Sequence, residues 1–138
     1  MFSLSACKKE GCTDSKASNH DKEAEKDDGS CVYDFSAVFW INAITSQTLQ
    51  NSFISELKIF VDDVLIGKMS TNSSLLEAPA CNAGGISFNE SGSVETTKVI
   101  NYKATFEQQT GPNTFSEETK YEGSIKLTGG VCQPFQLQ

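Results

Sequence analysis

The sequence predicts an all-β protein, a single antiparallel β-sandwich of about seven strands with a short irregular segment ahead of it. Three observations carry that expectation. Val, Ile, Thr and Phe are plentiful while helical periodicity is scarce, and β-branched and aromatic side chains suit a pleated surface. Gly, Asn, Asp and Pro recur between short apolar runs, as turns between strands require. At 138 residues, with 38% hydrophobic and 21% charged side chains, the chain has room for one modest domain plus an appendage.

Three zones follow one another. Residues 1–7 are small and mostly apolar, residues 8–31 are dense in Lys, Asp and Glu, and residues 32–138 read as strands. In the last zone, the run 32–44 sets Phe35, Ala37, Phe39, Ile41 and Ala43 on one face at period two, and Val38, Trp40 and Ile44 on the other. A strand apolar on both faces belongs at the centre of a sheet or under a cover. Residues 56–61 and 64–69 flank Asp62-Asp63, two turn-prone residues that predict a tight hairpin. Residues 70–85, rich in Ser, Asn, Ala and Gly, read as a long loop carrying Pro79 and Cys81, and 86–88 as a short strand. Residues 97–106 and 120–127 make a second hairpin around Gly111-Pro112-Asn113. Residues 131–137 close the chain, and Pro134, which has no N–H to donate, puts that last strand at an edge.

The net charge is −7 and every basic residue is lysine. A surface that repels phosphate is a poor nucleic-acid binder, so nucleic acid is not an expected partner. No stretch reaches the roughly 18–20 apolar residues of a membrane-spanning helix.

Leu4-Ser5-Ala6-Cys7 resembles the lipobox of bacterial lipoproteins. Small side chains before the cut let an extended backbone enter the signal peptidase, and the cysteine thiol accepts diacylglycerol. The resemblance implies lipidation at Cys7, a membrane as partner through that anchor, and an outer-membrane lipoprotein of the cell envelope, periplasmic or surface-exposed. Each buried methylene contributes about 0.8 kcal/mol, so two or three acyl chains hold a protein stably. A signal peptide needs a basic region and about 7–15 apolar residues before its cleavage site. The resemblance therefore makes residues 1–7 the remnant of a longer signal peptide whose true start lies upstream. An ordinary N-terminal tail with an incidental cysteine is the alternative.

Gly11-Cys12-Thr13-Asp14, Ala17-Ser18-Asn19-His20-Asp21, Ala24 and Asp27-Asp28-Gly29-Ser30-Cys31-Val32-Tyr33 together resemble a short module of secreted and surface proteins of the Bacteroidetes. His20 stands where tyrosine is usual, and Ser15 and Lys22 where prolines are frequent. The resemblance implies that residues 8–31 form an acidic spacer closed by a Cys12–Cys31 disulfide. Such closure is worth about 3 kcal/mol to a segment with too little apolar surface to fold alone. Asp14, Asn19, Asp21, Asp27 and Asp28 offer hard oxygen ligands to Ca2+, with Gly29 permitting a sharp turn. The spacing is not Asp-x-Asp-x-Asp-Gly and lysines dilute the charge, so a solvated spacer competes with a calcium site. Five cysteines is an odd number. With Cys7 acylated and Cys12 joined to Cys31, Cys81 and Cys132 remain, one of the three pairings open to four cysteines. Free buried thiols in a reducing cell are the alternative.

The order Phe39-Trp40, Lys58 to Gly67, Cys81, a pair of Tyr-bearing strands and Gly130 to Leu137 resembles small lipoprotein β-sandwiches, and the Val61-Asp62 hairpin resembles PEGA-type and prealbumin-like modules. That resemblance implies architecture for residues 32–138 and little chemistry. The only histidine, His20, lies in the spacer, so a Ser-His-Asp or Cys-His arrangement has no base in the β domain. Metal-protease, redox and phosphate-loop motifs are missing from the sequence. Asp62-Asp63 and Glu117-Glu118 read as turn and loop acids, and Trp40 with Tyr33, Tyr102 and Tyr121 as core rather than a carbohydrate platform. The expectation is a non-enzyme: a membrane-anchored binding or envelope-structural module with a protein or glycan ligand. An accessory subunit of an outer-membrane transport or polymer-degradation complex is the second expectation, and a small hydrolase the least favoured. A cluster of exposed aromatics would point to glycan or protein binding.

Overall fold

The computed structural model describes residues 7–138, so Leu4, Ser5 and Ala6 of the lipobox lie outside the described residues. The elements run β1 (Glu10–Gly11), β2 (Lys26–Asp27), β3 (Tyr33–Trp40), α1 (Ala43–Asn51), β4 (Glu56–Val61), β5 (Val64–Ser70), β6 (Ile86–Ser93), β7 (Thr97–Gly111), β8 (Thr114–Thr128) and β9 (Cys132–Gln136). The all-β expectation holds. Seven strands build two sheets, ordered β6-β3-β9 and β5-β4-β7-β8, and the short parallel pair β1-β2 belongs to the segment ahead of them. Every pairing within the larger sheet is antiparallel, whereas β3 pairs antiparallel with β6 and parallel with β9.

Period-two burial explains the sheets. Phe35, Ala37 and Phe39 of β3 are fully buried in one cluster with Leu57 and Ile59 of β4, Ile100 and Ala104 of β7, and Leu127 of β8. Side chains from both sheets thus share one core. The run apolar on both faces is indeed central, with β6 on one side and β9 on the other. Its second face is covered too: Val38 is fully buried and Trp40 nearly so. Over Val38 the cover is the loop 71–85. Cys81 is bonded to Cys132, which pairs in register with Ser36 on that face, and Gly85 lies against the Val38 side chain and the Phe39 carbonyl.

The strand expected over 32–44 stops at Trp40, and Ala43 and Ile44 open α1 instead. Asn42 decides this. It sits in an extended conformation and its Oδ1 accepts the Thr45 N–H at 2.8 Å, satisfying an otherwise orphaned donor at the helix start. The helix buries Thr45, Ser46 and Leu49. Thr45 Oγ1 donates to the Leu137 carbonyl and Ser46 Oγ to the Thr71 carbonyl, so two of its three buried contacts are hydrogen bonds. A helix docked by hydroxyls has almost no apolar stripe, which is why periodicity did not show it.

Both hairpins are present. Asp62 and Asp63 have φ of 47° and 65°, the left-handed pair that a two-residue hairpin turn requires. The second hairpin is longer than expected, with strands of 15 residues each. β4 pairs with β7 only across Tyr102–Thr105, so the tip around Pro112-Asn113 projects past β4. The edges share a property. β5 carries an extra residue at Ile66, β6 an irregularity between Glu90 and Ser93, β8 an extra residue at Lys120, and β9 carries Pro134. Each edge of the two sheets is therefore interrupted.

Candidate functional site

The acidic segment is folded, not loose. Cys12 and Cys31 form a disulfide with Cα atoms 4.8 Å apart, and Cys12, Ala17 and Tyr33 make a small buried cluster around it. The five residues expected as calcium ligands each take hydrogen bonds within the segment. Asp14 accepts the Lys16 N–H at 2.9 Å and the Tyr33 hydroxyl at 2.7 Å. Asn19 donates to the Ser30 carbonyl and accepts from the Val32 N–H. Asp21 accepts the Glu23 N–H and pairs with Lys9 at 3.0 Å. Asp27 accepts from Gly29, and Asp28 from Ser30. At Asp14, Asp21, Asp27 and Asp28 the bond to the amide two residues on is an Asx turn, in which a short side chain replaces a backbone carbonyl, while Asn19 ties residues 30 and 32 back to the segment. Among the described residues no three His, Cys, Asp or Glu converge as a metal-binding group.

Hydrogen bonds to the ionised form hold Asp14, Asp21 and Asp28 below their ordinary 3.8. For Asp14 the larger cause is the Lys16 amide and then Tyr33; for Asp21 it is the Glu23 amide and then Lys9; for Asp28 it is Ser30.

The segment also touches the sheets. Gly130 has φ of 70°, and a Cβ there would overlap the Lys16 carbonyl. Gly129 lies against the Tyr33 ring. Cys7, the one described cysteine outside a disulfide, is exposed three residues before β1. The second bridge, Cys81–Cys132, has Cα atoms 6.0 Å apart and is the pairing left over in the cysteine count.

The acid pairs serve the sheet. Asp62 Oδ1 accepts the N–H of Asn101 on the neighbouring β7 at 2.9 Å, and Asp63 pairs with Lys103 of the same strand at 3.5 Å. Glu117 accepts the Thr105 hydroxyl at 2.6 Å, and Lys58 lies between it at 3.6 Å and Glu107 at 2.8 Å. Glu107 is lowered chiefly by Lys58, and Glu117 chiefly by the Thr105 hydroxyl. Trp40 and Tyr33 are buried, while Tyr102 and Tyr121 pack half-buried against the core. They make no open platform.

An exposed aromatic cluster does exist, built from residues the sequence reading passed over. α1 ends in a Schellman motif: the Phe53 N–H donates to the Gln50 carbonyl and the Ile54 N–H to the Leu49 carbonyl. Phe53 occupies the left-handed position with φ of 60°, and its side chain is 98% exposed. Across a concavity of about 500 Å3 stands Phe115, 62% exposed, on the projecting hairpin. Phe106, Glu107, Gln108, Gln109 and Lys120 also line it, with Ser52 and Ile54 beside Phe53, and Lys58 borders an adjoining hollow that also touches Phe53 and Phe115. The sequence signal was a Phe two residues past a helix end, visible only once the helix itself is known. No family model matches the chain, and no curated protein or solved structure matches it.

Proposed function

We propose that this chain is a lipid-anchored, non-catalytic binding module displayed from the bacterial envelope. The observation that carries the reading is the cysteine arrangement: four thiols are consumed inside the fold and Cys7 alone stays exposed, ahead of the folded segment. Disulfides favour an oxidising compartment. An acyl chain on Cys7 needs an amino end clear of the core, and the docked segment 8–31 keeps the anchor off the sheets. The lone histidine, half-buried in that segment, supports a binding role over general-base chemistry.

The test joins a lipoprotein leader directly to Leu4-Ser5-Ala6-Cys7 and expresses the chain in a Gram-negative host. Mass spectrometry of the N-terminal peptide is expected to show diacylglyceryl and acyl groups on Cys7, and Cys7→Ser to leave uncleaved precursor. An unmodified Cys7 thiol, beside an acylated control lipoprotein carrying the same leader, overturns the anchor.

A further inference from the structure

We propose that the concavity between the C-terminal end of α1 and the projecting β7–β8 hairpin binds a neutral oligosaccharide, with Phe53 and Phe115 as its stacking faces. The proposal supplies a ligand class for the binding module proposed above and rests on that reading for its biological role.

Phe53 is disfavoured where it stands on two separate grounds. Its backbone occupies the left-handed region that suits glycine, and its ring lies 98% in water and contributes nothing to the core. Strain held together with exposed apolar surface marks a position set by something other than folding. Phe115 faces solvent on the stretch of hairpin beyond β4, so no sheet packing accounts for it either.

The rest of the lining selects the ligand. Glu107, Gln108, Gln109 and Lys120 surround the rings, and an apolar protein face closing over them would leave their donors and acceptors dry and unpaired. A sugar presents both surfaces needed, an apolar ring face for each phenylalanine and hydroxyls for the amides and carboxylate. Glu107 takes Lys58 on Oε1, and among the described residues its other oxygen takes no hydrogen bond. The lining carries no excess of cations to favour an acidic glycan, since Glu107 offsets Lys120. Lys58 is already held by two carboxylates, and the chain carries −7 overall. The volume of about 500 Å3 falls within the range of ligand clefts. Strand addition by a peptide or a second copy meets an interrupted edge on every side.

The experiment is isothermal titration of the full chain, carrying Cys7→Ser, with cellohexaose, xylohexaose, mannohexaose and maltohexaose at millimolar concentration. At least one is expected to bind, and Phe53→Gly and Phe115→Ala each to weaken it about tenfold, the worth of one aromatic contact. Phe53→Gly is the informative variant, because it relieves backbone strain: its thermal midpoint should rise while its affinity falls. Failure of all four sugars to bind, affinity unchanged in both variants, equal binding of polygalacturonate, or self-association through this face would each overturn the proposal. The anchor is tested separately. Sugar binding by the Cys7→Ser chain stands whatever the state of Cys7, and an acylated chain that binds no sugar loses only the ligand.

Discussion

Phe53 shows how a single residue is placed by the backbone against its own preference. An L-residue in the left-handed region costs about 1–2 kcal/mol, and glycine escapes that cost. Phe53→Gly is therefore expected to stabilise the fold by about 1 kcal/mol in urea denaturation, while Phe53→Ala, which keeps a Cβ at φ of 60°, gains little. Gly130 is the opposite case. With φ of 70° and the Lys16 carbonyl where a Cβ would go, Gly130→Ala is expected to cost more than about 1 kcal/mol and to raise amide exchange across residues 12–20. Asp62-Asp63 was legible as a turn from its residues alone, because two short polar side chains tolerate positive φ. Phe53 was not, because nothing in a phenylalanine advertises a helix cap.

At the scale of elements, the segment 8–31 is held by one covalent bond and many local hydrogen bonds. Closing its 19-residue loop stabilises by about 3 kcal/mol, and the 51-residue loop of Cys81–Cys132 by about 4 kcal/mol. Replacing both Cys12 and Cys31 with serine should let limited proteolysis cut within 8–31 while strands β3 to β9 persist, since their core does not include that disulfide. Acid should act on the same segment. The folded values of Asp14, Asp21 and Asp28 lie below the ordinary 3.8, so their stabilisation is complete above that pH and is lost as pH falls through the depressed values. Glu107 and Glu117 behave alike below their ordinary 4.5. A pH titration followed by NMR is expected to show amides of 12–31 shifting below pH 3.8, with no loosening between pH 5 and 8. Helix α1 escaped sequence reading for a physical reason: its buried contacts are made by Thr45 and Ser46 hydroxyls, and hydroxyls leave no hydrophobic period.

For the whole molecule, the notable property is that each exposed edge is interrupted. Bulges at Ile66, near Gly92 and at Lys120, together with Pro134, spoil the straight row of free N–H and C=O groups that templates edge-to-edge pairing. Deleting Lys120 should straighten β8 over its 15 residues, and size-exclusion chromatography is expected to show concentration-dependent association that the parent chain lacks.

By itself, the sequence determined the β class, the central place of the doubly apolar run, the tight Asp62-Asp63 hairpin, the edge position of the Pro134 strand and two disulfides consistent with its cysteine count. These rest on local chemistry: period-two burial, turn-prone residues, a missing donor, and thiols that pair. Only the tertiary structure decided that the acidic segment docks on Gly129-Gly130, that the loop 71–85 covers Val38, and that Phe53 and Phe115 line one concavity. Those contacts join residues far apart in the chain, and each depends on backbone geometry, such as a left-handed cap or a glycine against a carbonyl, that side-chain identity does not encode.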